Sequence, residues 1–66
     1  MKNNIKVERA KKDMTQEDLA KEIGVSRQTI ISIESGKYVP STILALKIAL
    51  YFKLSVEEIF ILETND

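Results

Sequence analysis

A chain of 66 residues holds one small domain at most, and with no cysteine and no histidine it excludes disulfides, the common zinc sites and histidine-based catalysis. Ten Lys/Arg balance ten Asp/Glu to a net charge of zero, so no overall positive field marks a nucleic-acid binder. The distribution is uneven: residues 1–37 carry eight basic and six acidic side chains, residues 38–66 two and four, which permits a mildly basic face on the N-terminal half.

A domain this small buries a modest core. Without a disulfide or a structural metal it depends on tight helix packing, self-association or both. No apolar run approaches the roughly 18 residues of a membrane span, and Met1-Lys2-Asn3-Asn4 has no signal-like apolar segment behind it. A cytoplasmic protein without a membrane partner is expected.

In chain order, the first predicted helix spans about 4–12, with Val7, Ala10 and Met14 sharing a face and Ile5 lying elsewhere. Thr15 caps a second helix over 16–23, and Asp18 three residues on supplies a short capping box. Gly24 suits the left-handed turn that closes it. Ser26 caps a third helix over 27–35, closed by Gly36. Pro40 and Ser41 introduce a fourth over 42–52, apolar almost all round and therefore buried on more than one side. Ser55 and Glu58 form a capping box for a fifth over 56–60. Hydrophobic staples join Met14 to Leu19, Val25 to Ile30 and Leu54 to Ile59, each pairing the residue before a cap with the fourth helical residue. The apolar tail Ile59-Phe60-Ile61-Leu62 either extends the fifth helix or forms a short strand that pairs across a dimer. The expected fold is all-α, one five-helix domain over 1–66.

Residues 16–35 read as helix, tight turn, helix. Ala20 lets the two helices approach, Gly24 turns the chain and Val25 plugs the corner. This is the layout of a helix-turn-helix, whose second helix can enter a major groove. At about 100° per residue, Ile30 and Ile33 point to one side of the third helix. The opposite face centres on Gln28 and Ser35, flanked by Arg27, Ile31 and Ser32. Arg can bond guanine O6 and N7, Gln can bond adenine N6 and N7, and an apolar side chain can meet a thymine methyl. Arg27 and Gln28 are thus candidates for base reading from the first turn, and Ile31 for a thymine contact. No phosphate-cradling glycine loop or convergent carboxylate pair points to an enzyme. Glu57 and Glu58 read as first-turn acids complementing a helix dipole.

The segments "MTQEDLAKEIGVSRQTI", "IESGKYVPS", "LALKIA" and "VEEIF" together resemble the Cro/repressor-type (XRE-family) helix-turn-helix domain of phage repressors and small bacterial regulators, across residues 5–60. Length and tail are similar to the short stand-alone dimeric members that use a C-terminal strand. The resemblance implies a lambda-repressor-like fold that binds double-stranded DNA. Ser26, Arg27, Gln28 and Ser32 would face bases or adjoining phosphates, with Thr29 at the groove edge. Gln16, Ser35, Lys37 and Tyr38 would touch backbone phosphates, and Arg9 and Glu34 would form a structural ion pair between the first and third helices. Three positions depart from the family pattern: Glu8, where an apolar residue is common; Lys53, in place of Gly or Asn; and Ile31, in place of a polar residue.

The resulting expectation is a homodimeric transcriptional regulator, by default a repressor, on a palindromic operator. Its dimer interface would draw on Leu50, Tyr51, Phe60, Ile61 and Leu62, with a dimerising tail at about 59–64. No metal, cofactor or small-molecule ligand is expected. Two other readings stay open at this point: an antitoxin that binds its own promoter and neutralises a toxin, and a protein-interaction module that never touches DNA.

Overall fold

The computed structural model describes residues 1–66. Five helices, α1 (Ile5–Lys11), α2 (Gln16–Ile23), α3 (Arg27–Glu34), α4 (Thr42–Phe52) and α5 (Val56–Ile59), lie between two short strands, β1 (Lys2–Asn3) and β2 (Phe60–Ile61). The chain is all-helical apart from this one antiparallel ladder, in which Lys2 opposes Ile61 and Asn3 opposes Phe60.

Local chemistry sets each helix start. The Thr15 hydroxyl accepts the Asp18 N–H at 3.0 Å, and the Asp18 carboxylate accepts the Thr15 N–H at 2.9 Å, closing a full capping box on α2. Ser26 and Ser41 cap α3 and α4 by accepting from Thr29 and Leu44. Before α5 the Ser55 N–H donates to the Glu58 carboxylate at 2.8 Å. These bonds hold the Asp18 carboxyl below its ordinary pKa, through the Thr15 backbone first, and the Glu58 carboxyl likewise through the Ser55 backbone.

The core gathers Ile5, Leu19, Ala20, Ile23, Ile30, Ile33, Ile48, Ala49, Phe52, Ile59 and Phe60, and the staple residues Met14, Val25 and Leu54 pack against it. α2 packs on α3 and α4, and α4 on α5. Leu19, Ala20 and Ile23 face Ile30 and Ile33 across the tight turn, so burial of both apolar stripes fixes how α3 is presented.

Two expectations are corrected here. On α1 the buried residue is Ile5, at 0% exposure, while Val7 is 53% exposed and Ala10 is also exposed. The helix starts one residue later than predicted, with the Ile5 N–H held by the Asn3 side chain at 3.2 Å. Its inward positions are therefore Ile5 and, one turn on, Arg9, whose guanidinium is partly buried. Glu8 is also partly buried and pairs with Lys11 at 3.1 Å.

The second correction concerns the tail. Residues 60–61 are a strand, but its partner is residues 2–3 of the same chain. Asn3 anchors β1 by donating to the Ile33 carbonyl at 2.9 Å, and the Asn4 N–H donates to the Ile59 carbonyl at 2.9 Å. Phe60 is thereby drawn into the chain's own core at 7% exposure, which leaves it little surface for another subunit.

Candidate nucleic-acid interface

The candidate site is the outer side of α3 and the segments at its two ends. Ile30 and Ile33 are 0% and 1% exposed, fixing the inner side. Gly24 supplies the turn before α3 at φ 87°, its N–H donating to the Ala20 carbonyl at 2.9 Å while Val25 donates to the same oxygen at 3.0 Å. After α3, Gly36 at φ 79° folds the chain back, so that the N–H groups of Lys37 and Tyr38 both reach the Ser32 carbonyl, at 3.0 and 3.2 Å. That fold-back sets Tyr38 beside α3.

Ser26, Gln28, Thr29, Ser32 and Tyr38 consequently line one shallow concavity. Within it the Ser26 and Thr29 hydroxyls are 2.9 Å apart, and the Gln28 amide donates to the Ser32 hydroxyl at 3.4 Å. Arg27 and Lys37 are exposed and belong to none of the chain's ion pairs. Ser35 is exposed and its hydroxyl donates to the Ser32 carbonyl at 3.0 Å. Ile31 is partly exposed and is not among the residues packed on the core. The surface thus offers one guanidinium, one ammonium, an amide, a phenol and several hydroxyls. It carries no exposed carboxylate between Val25 and Tyr38, the only acid there being Glu34. Such a surface suits an anionic, hydrogen-bonding partner.

Glu34 is neutralised internally. Its carboxylate accepts Arg9 Nε at 2.6 Å and Arg9 Nη2 at 3.0 Å, a two-pronged pair with side chains 9% and 12% exposed. Arg9 Nη1 donates to the Met14 carbonyl at 2.8 Å, tying the α1–α2 loop to the same cluster. Gln16 also joins it, donating from its amide to Glu34 Oε1 at 3.3 Å. One end of Gln16 is therefore engaged inside the chain.

Outside this surface, Leu50 on α4 is 79% exposed and Leu62 77%, and Ile61, 41% exposed, borders the end of α3 at Ser35 and Gly36. Tyr51 is only partly exposed. Its hydroxyl donates to Met14 Sδ at 3.5 Å, and its ring meets Phe52 edge-on with the Lys12 ammonium above it. Sequence reasoning missed Ile43 and Leu46, which are exposed with Leu50 at positions i, i+3 and i+7 of α4. Their spacing was legible, but a helix apolar all round conceals which stripe lacks a partner.

A helix-turn-helix family model matches residues 5–59. An uncharacterized HTH-type transcriptional regulator of Methanocaldococcus jannaschii is 59% identical over 66 residues, covering all of both chains. One of Bacillus subtilis is 49% identical over 66 residues, again covering all of both. The ImmF control region 10 kDa protein of Bacillus phage phi105 is 38% identical over 52 residues, 79% of this chain and 58% of that protein.

Proposed function

This chain belongs to the helix-turn-helix family as a transcriptional regulator, which implies DNA binding, and on that premise we propose that it is a homodimeric repressor of a palindromic operator. α3 lies in the major groove. Arg27 and Gln28 read base edges from its first turn, Ser26 and Ser32 adjoin them, and Ile31 meets a thymine methyl. Gln16, Thr29, Ser35, Lys37 and Tyr38 hold the phosphate backbone on either side. The observation that carries this reading is the concavity in which Ser26, Gln28, Thr29, Ser32 and Tyr38 converge beside an unpaired Arg27.

Two copies joined through Leu50, Ile61 and Leu62 would set two α3 helices on successive turns of the groove, about 34 Å apart. A protomer 31 Å in its longest dimension is compatible with that spacing. Occupying a promoter is the simplest action of a domain bound across an operator, and repression follows from it.

Selection from a random-site duplex pool at two salt concentrations tests this. An inverted repeat should be enriched, and affinity should fall steeply with salt. No enrichment at low salt refutes the reading.

A further inference from the structure

The Arg9–Glu34 pair ties α1 to α3, but its geometry reaches further. Glu34 Oε1 accepts from both Arg9 and Gln16, and Gln16 opens the helix that leads into the turn. We infer that Glu34 is a positioning residue for DNA binding: it fixes the Gln16 amide so that one N–H is left to donate to a backbone phosphate. This rests on the DNA-binding reading above and assigns a mechanism to one of its contacts.

The donors and acceptors of the two side chains decide how Gln16 is oriented. An ionised carboxylate only accepts, whereas an amide has a donating and an accepting end. Facing Glu34, Gln16 can present only its NH2 group, because the reverse orientation sets its carbonyl oxygen against the carboxylate. One of its two N–H bonds is used at 3.3 Å, and the second is left for an outside acceptor. Gln16 is partly exposed, so an outside acceptor can reach it.

Electrostatics would ordinarily oppose this arrangement, because a carboxylate near a phosphate repels it. Here both Glu34 oxygens already face the Arg9 guanidinium, at 2.6 and 3.0 Å. The positioning group is thus neutralised from behind. One cluster therefore holds α1 to α3 and prepares a donor on α2.

A double-mutant cycle on the selected operator tests this, with Gln16→Ala, Glu34→Gln and the pair, each checked for folding by circular dichroism. Each single change should weaken binding about tenfold. The pair should be within about twofold of Gln16→Ala alone, because Glu34 acts through that amide. A purely structural Glu34 would instead add its loss to that of Gln16, about a hundredfold in all, and that result overturns the inference. Should Glu34→Gln fail to fold, the wild-type protein decides by nitrogen-15 NMR. Gln16 and Gln28 are the only two glutamines. The Gln16 side-chain N–H pair, bonded to a carboxylate and partly buried, should be more widely split and exchange more slowly than that of Gln28, whose exposed amide has only the neutral Ser32 hydroxyl at 3.4 Å, and matching behaviour overturns the inference. Failure of the wild type to select any operator would remove the DNA reading and this inference with it, and it shows before any variant is made.

Discussion

Ile30 and Ile31 are neighbours in α3 with opposite surroundings: Ile30 is completely buried against α2, while Ile31 is partly exposed and makes no part of the core. Ile30→Ala should cost about 2–5 kcal/mol, by lost burial and a residual cavity, enough to unfold much of so small a domain. Ile31→Ala should change stability by less than about 0.5 kcal/mol. It should also reduce preference for thymine at one position of each half-site. Thermal melts and operator selection check the two halves of this statement, and equal destabilisation by both changes would contradict it.

Lys53 closes α4 in the left-handed conformation, at φ 58° and ψ 42°, a region that disfavours a side chain with a Cβ. Lys53→Gly relieves that strain and costs some unfolded-state entropy. The net expectation is a gain of about 0.5–1 kcal/mol, read as a melting point several degrees higher. An unchanged or lower melting point would show that the lysine is not strained there.

Acid should weaken the fold through the caps of α2 and α5. Asp18 and Glu58 have lowered folded-state pKa values because the Thr15 and Ser55 backbones donate to their charged forms. A lowered folded pKa contributes stability above the unfolded value, near pH 4, and that contribution is lost as pH falls through the folded value. Asp18→Asn combined with Glu58→Gln should therefore flatten the fall in melting temperature below about pH 4. An equally steep fall in the double variant would place the acid sensitivity elsewhere.

Self-association should depend on the exposed apolar residues rather than on Phe60. Leu50→Glu and Leu62→Glu each place a charge on the proposed interface without touching the core. Both should shift the protein to monomer in sedimentation at micromolar concentration, with the melting curve of the monomer little changed. Truncation of the tail is a poorer probe, because Phe60 and Ile61 pair with the chain's own first strand. Wild-type mass equal to one chain, or variants that still dimerise, would exclude this face.

Much of the fold was legible because its signals are local. Thr15, Ser26 and Ser41 cap through bonds spanning three residues, and Gly24 and Gly36 turn the chain at the expected ends. The opposed faces of α3 follow from the helical period alone. What escaped was long-range. β1 has two residues, too few for any periodicity, and exists because Asn3 reaches the end of α3 thirty residues away. Asn3 also holds the start of α1, and because Ile5 and Val7 lie about 200° apart on that helix, the packing that buries Ile5 turns Val7 outward. At the site, Arg27 and Gln28 could be placed from sequence because they follow a cap. The bond from Gln16 to Glu34 joins two helices and left no trace in spacing.

Whether the first turn of α3 reads bases is decided by repeating operator selection with Arg27→Ala beside Lys37→Ala. Arg27→Ala should cost about 1–3 kcal/mol and lose information at one base position per half-site, with the rest of the consensus intact. Lys37→Ala should lower affinity evenly over all sequences and reduce the salt slope by about one per protomer. A consensus unchanged by Arg27→Ala, with affinity lost uniformly, would contradict the account.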